Sequence, residues 1–219
     1  MRNSLWALMI GTPLACGAHS GVQVLNDDAH FPEGPVWYQG KLYYVEYDRN
    51  TVMTWDGGKN TVFSAEKGCG QSAVAPTVRG EFVTTCYDNG SIGRMSADGT
   101  VLPAYTHDKD GNKFLGPNDL APDTHGGIYF TASGHLGPVI DGKVFYIAAD
   151  GTITRVATDL HNANGLAVSS DGRILSNTHS AVAKGSKPGI QPGRENHLRH
   201  GPRSDRPVTL PRQGIFHTE

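Results

Sequence analysis

Four polar residues recur at one point of a repeating pattern: Glu33, Gln71, Asn118 and Asn164. Each stands seven to nine residues before a glycine, respectively Gly40, Gly80, Gly127 and Gly172. One carboxylate and three amides make an oxygen-only donor set. Such a set suits a hard divalent cation, Ca²⁺ above all. No Cys or His falls at that point in any repeat, which argues against a zinc site built from those residues. Each Asn alone is an ordinary turn former. Recurrence is what turns them into a candidate site, because a cation needs several donors at one place.

The elements that must gather them are visible in the same register. The glycine steps from 40 to 80, 127 and 172 are 40, 47 and 45 residues. Strand-like runs follow the glycines: Lys41–Val45, Glu81–Thr85, Ile128–Thr131 and Arg173–Leu175. They are rich in aromatic and β-branched residues. Second runs, Thr51–Trp55, Ser91–Met95 and Val144–Ile147, lead toward Asp56-Gly57, Asp98-Gly99 and Asp150-Gly151. Asp-Gly favours tight hairpins because Gly accepts positive φ. Last strands are read at Thr61–Phe63 and Thr152–Val156, and short runs such as Ala73–Ala75 and Leu166–Val168 precede the glycines. Four short strands per repeat of this length predict propeller blades. No helical period is sustained. In a propeller the first strand of each blade lines the central channel, so the four polar residues converge at similar depth.

Bulk composition agrees. The 219 residues include 28 Gly and 13 Pro, which suits short strands and tight turns. Formal net charge is −2, so no basic field points to nucleic acid. Residues 1–20 follow the order of a secretory signal: Arg2, an apolar run from Leu5 to Cys16, then small residues. A secreted or periplasmic location is therefore expected. The leader is too short and broken for a membrane span, and no other segment could make one. Cys69 and Cys86 could pair in an oxidising compartment, but two separate buried thiols are the simpler expectation. Glu46, Asp48 and Asp88 are expected at strand ends as solvated residues.

Local strings carry a resemblance. Phe31-Pro32-Glu33-Gly34-Pro35-Val36-Trp37, then Pro117-Asn118-Asp119-Leu120 with Gly127-Ile128-Tyr129-Phe130-Thr131, then Asn164-Gly165-Leu166-Ala167-Val168-Ser169 with Asp171-Gly172-Arg173 stand in order at blade spacing. Over residues 28–180 the chain resembles the gluconolactonase and regucalcin (senescence marker protein) family. That resemblance implies an all-β, six-bladed propeller, here about three blades and part of a fourth over residues 21–180. It implies one divalent metal, with Ca²⁺, Zn²⁺, Mg²⁺ or Mn²⁺ accepted variously. It implies Glu33 and Asn164 as ligands, with Asn118 completing coordination or touching substrate. The expected function is metal-dependent hydrolysis of sugar lactones or related esters. The alternative is a non-catalytic propeller that binds a small ligand or a protein on its axial face. Gln71 is a further in-register group, read as substrate-binding.

The chain also departs from the family. The general-base Asp of a later blade has no counterpart, so no catalytic residue is identified. The family arginine two residues before Asn118 is replaced by Gly116. Residues 181–219 hold no Trp or Tyr, one Phe, five Pro, and seven Lys/Arg against three Asp/Glu. That stretch reads as a disordered or aberrant basic tail, from truncation or a frame shift, with impaired activity as the expected result.

Overall fold

The computed structural model describes residues 23–137 and 139–179, and the backbone of a strand at 194–199. The leader expected at residues 1–20 lies outside the described residues. Among those described there is no helix. The first sheet holds β1 (Pro32–Tyr38), β2 (Lys41–Glu46), β3 (Thr51–Trp55) and β4 (Asn60–Ala65). The second holds β5 (Gln71–Pro76), β6 (Phe82–Cys86), β7 (Ser91–Met95) and β8 (Val101–Tyr105). The third holds β9 (Pro117–Pro122), β10 (Ile128–Ala132), β11 (Gly142–Ile147) and β12 (Ile153–Leu160). The fourth holds β13 (Ala163–Val168), β14 (Ile174–His179) and β15 (Arg194–Arg199).

Neighbours in sequence are neighbours in each sheet, and the pairings are antiparallel. These are three four-stranded blades and three strands of a fourth, so the all-β propeller reading holds. Strand β8 carried no marked signal; Pro103 and the flanking Asp98-Gly99 hide a strand that sits at a blade's outer edge. Strand β15 lies inside the stretch read as tail and pairs with β14 from Ile174↔Arg199 to His179↔Arg194.

The core sits between blades. Strand side chains alternate between faces, so each inner sheet feeds two interfaces. In β10, Ile128, Phe130 and Ala132 join a cluster with Ala73, Val83 and Ile92 of the second blade. Tyr129 faces the other way and packs with Ala163 and Leu175 of the fourth. A third cluster, with Val45, Val52, Val74 and Phe82, seals blades one and two. Phe130 stacks on Phe145 at 5.0 Å, and Phe114 meets both edge-on. Strands β6 and β10 are accordingly buried along their whole length.

Cys69 and Cys86 form a disulfide, with Cα atoms 4.4 Å apart. This corrects the expectation of separate thiols. The connection after β4 runs back beside the end of β6, where the Asp88 N–H donates to the Cys69 carbonyl at 3.1 Å. That juxtaposition is long-range and leaves no trace in residue spacing.

Candidate metal centre

Each blade's innermost strand breaks register at the same place. Pairing shifts between Glu33 and Val36 in β1, between Gln71 and Ala73 in β5, between Pro117 and Leu120 in β9, and between Ala163 and Leu166 in β13. A β-bulge turns side chains out of the alternating pattern, and bulges recur beside functional sites. The bulges in β9 and β13 contain Asn118-Asp119 and Asn164-Gly165, and Glu33 adjoins the one in β1. Gly34 shows why the turn is tight. Its φ is +50°, and a Cβ there would lie 2.5 Å from the Ala73 Cα.

The result is one open cleft of about 490 Å³. Glu33, Asn118, Asp119 and Asn164 line it, with Ser72 and the apolar residues of β5. Three predicted residues from three separate sheets are thus brought together. Gln71 is not among the lining residues: it is 1 % exposed, and its Oε1 has no hydrogen-bond partner. It pairs with Cys86 as Pro117 pairs with Ala132 and Ala163 with His179. The second-blade counterpart of Asn118 is therefore Ser72, and counting back from Gly80 misses by one.

Hydroxyl groups lock these turns across blade boundaries. Thr85 Oγ1 donates to the Asn118 carbonyl at 2.8 Å, and Ser72 Oγ reaches it at 2.9 Å. Thr131 Oγ1 repeats the contact one blade on, donating to the Asn164 carbonyl at 2.8 Å. The Asp119 N–H in turn donates to Thr131 Oγ1 at 3.0 Å. Asp119 completes the link: Oδ2 accepts the Leu166 N–H at 2.7 Å and Oδ1 accepts the Leu120 N–H at 2.8 Å. The repeat register alone does not single out Ser72, Thr85, Thr131 or Asp119. The Thr in the same place of β6 and β10 was the available signal.

Electrostatics shows what the cleft lacks. Burial pushes the Asp119 carboxyl above its ordinary pKa, only partly opposed by its two N–H donors. The Glu33 carboxyl is also raised, first by burial and then by the negative charge of Asp119. Among the described residues no Lys, Arg or His lines the cleft. Two crowded carboxylates and two amides, without a cationic side chain, are a donor set that fits a hard divalent cation.

Residues 31–186 match the sequence pattern of the SMP-30/gluconolactonase/LRE-like region. The chain belongs to that family. No curated protein matches it in sequence. Among solved structures it is similar to a gluconolactonase from Xanthomonas campestris, at 24 % identity and a TM-score of 0.64, covering 80 % of this chain and 60 % of that one. A proposed gluconolactonase gives 18 % identity and a TM-score of 0.60, covering 81 % of this chain and 66 % of that one. A streptogramin B lyase gives 16 % identity and a TM-score of 0.55, covering 78 % and 55 %. The chain thus spans about three fifths of the first structure's length. At these identities the likeness is one of fold, which hosts more than one chemistry.

Of the three strand-end acids, two are solvated as expected and one is not. Asp48 and Asp88 are exposed. Glu46 is fully buried, held by Asn26 Nδ2 at 3.3 Å and Arg49 at 3.4 Å, which corrects its assignment to solvent. A second acidic group, Glu66 with Cys69 and Cys86, has its sulfurs committed to the disulfide.

Proposed function

We propose that this chain carries the metal-binding part of a lactone or ester hydrolase of the gluconolactonase type. The observation that supports this most is the convergence of Glu33, Asn118 and Asn164, from three sheets, on one cleft. A divalent cation held there by their side-chain oxygens, Ca²⁺ in the first instance, would supply Lewis acidity toward a lactone carbonyl and lower the pKa of a bound water. The chain's own residues do the rest. Asp119 and the Thr hydroxyls fix the Asn118 and Asn164 turns, and preorganised groups of this kind cost no reorganisation at the moment of reaction. The apolar side chains of β5 line the cleft beside them. The substrate is a small molecule. An exported location is part of the proposal, supported by the leader-like residues 1–20 and by a disulfide that persists in oxidising compartments.

Calorimetric titration with Ca²⁺, followed by lactone hydrolysis with and without chelator, tests the proposal. Saturable binding lost in Glu33→Gln, with chelator-sensitive turnover, is expected. Binding without turnover would favour the second reading, a non-catalytic ligand-binding propeller. One observation favours that reading: Asp119, the buried acid in the cleft, already accepts two main-chain N–H groups and is not a free base.

A further inference from the structure

The disulfide has a third neighbour. A carboxylate oxygen of Glu66 and the sulfurs of Cys69 and Cys86 all lie within 4.8 Å of one another. Two separate segments supply them. Glu66 and Cys69 close one turn after β4: the Cys69 N–H donates to the Glu66 carbonyl at 3.2 Å, and the Glu66 N–H donates to the Asn50 carbonyl at 3.1 Å. Cys86 ends β6, between Gln71 of β5 and Ser91 of β7. Both cysteines are fully buried and Glu66 is half-buried. Among the described residues no hydrogen bond or ion pair holds the Glu66 carboxylate. None of the three lines the cleft.

Gly93 shows that space is kept for this group. It stands in the middle of β7, opposite Thr84, and its φ is not positive, so backbone conformation does not call for glycine. A Cβ there would lie 3.1 Å from Glu66 Oε2, 3.2 Å from Cys86 Sγ and 2.8 Å from Thr84 Cγ2. Glycine inside a strand weakens it and marks a place where another group comes close. Here a carboxylate and a sulfur rest side by side over bare backbone.

We propose that Glu66, Cys69 and Cys86 form a second metal site, which holds a thiophilic divalent cation, Zn²⁺ in the first instance, while the cysteines are reduced and releases it when they pair. The site stands independently of the hydrolase reading. Two thiolates and one carboxylate are a softer donor set than the oxygens of the cleft. Tetrahedral zinc, with bonds of about 2.0–2.3 Å, puts its donors about 3.6–3.8 Å apart, inside the spread these atoms already have. Water completes the coordination. The cation and the S–S bond exclude each other because both use the same sulfurs. Every new chain is made with free thiols, and binding displaces their two protons. A low-molecular-weight disulfide then takes two electrons from the thiolates and becomes two thiolates itself; the S–S bond forms and the cation leaves.

The test uses the full chain as Cys16→Ser, which leaves Cys69 and Cys86 as its only cysteines, in excess Ca²⁺. The chain is unfolded with a water-soluble phosphine, which reduces the S–S bond to two thiols and becomes the phosphine oxide with oxygen from water. It is then refolded without air, and Co²⁺ is the probe. The reduced chain should show a sulfur-to-cobalt charge-transfer band that stoichiometric Zn²⁺ removes, and the oxidised chain should show none. Cobalt bound to oxygens alone is silent in this readout. Glu66→Gln should keep the band and weaken Zn²⁺ binding by about tenfold or more. A refolded reduced chain without the band, a band equally strong in the oxidised chain, or Zn²⁺ binding unchanged in Glu66→Gln overturns the proposal. So does a reduced chain that regains its near-ultraviolet circular dichroism neither with Zn²⁺ nor without it.

Discussion

Glu33 and Asp119 illustrate how a cleft lined by two acids stores an electrostatic debt. Both carboxyl groups have pKa values raised in the folded chain, chiefly by burial. The folded chain then holds their protons more tightly than the unfolded chain. The stability this gives is present at pH below the ordinary carboxylate range and is lost as pH rises through the raised values. A divalent cation held as proposed would offset the loss. Calcium should therefore raise the melting temperature little near pH 4 and increasingly toward neutrality, where a hundredfold excess over Kd stabilises by about 2.7 kcal/mol. Thermal scans over that pH range check this, and a calcium effect that shrinks with rising pH would contradict it. Asp119→Asn keeps acceptor capacity at one oxygen only. It should weaken calcium binding about tenfold without removing Glu33, Asn118 or Asn164, as calorimetry would show. At this scale the sequence displayed the donor types in repeating order. It could not show Ser72 in place of Gln71, because one bulged residue shifts the count.

Blade-building elements were more legible. Positive-φ turns and β-branched runs have local causes, so the Asp-Gly punctuation placed most strands. What stayed hidden was whatever depends on partners far along the chain: edge strand β8, buried Glu46, and the pairing of Cys69 with Cys86. Two predictions belong here. Phe130, fully buried against Phe114 and Phe145, should cost about 3–5 kcal/mol on replacement by Ala, measured by urea unfolding. Cys86→Ser should cost about 2–4 kcal/mol, the usual range for a native disulfide, here closing a sequence separation of 17 residues. An m-value unchanged from wild type would show that only stability moved.

Across the whole molecule, protection is graded. Strands β6 and β10 are buried on both faces, while β1 alternates between exposed and half-buried positions, with Trp37 62 % exposed. Native-state hydrogen exchange should therefore be slowest in β6 and β10 and faster in β1, because opening a strand with one uncovered face exposes less. Uniform exchange across all four sheets would disprove a core divided between blades. The blade count and the order of strands followed from the repeat alone. How the blades press together did not, since each interface joins side chains about one repeat apart in the chain.

The cross-link between Cys69 and Cys86 has a practical corollary. It anchors the two ends of a short clasp: Gly70 follows one cysteine, Tyr87 follows the other, and the Tyr87 N–H donates to the Gly70 carbonyl at 3.0 Å. Both cysteines are fully buried, so dithiothreitol or any comparable thiol reaches them only when the fold opens. Reductant should therefore matter in refolding rather than in storage of the folded protein, so the choice of buffer at that step is itself an experimental variable for this protein.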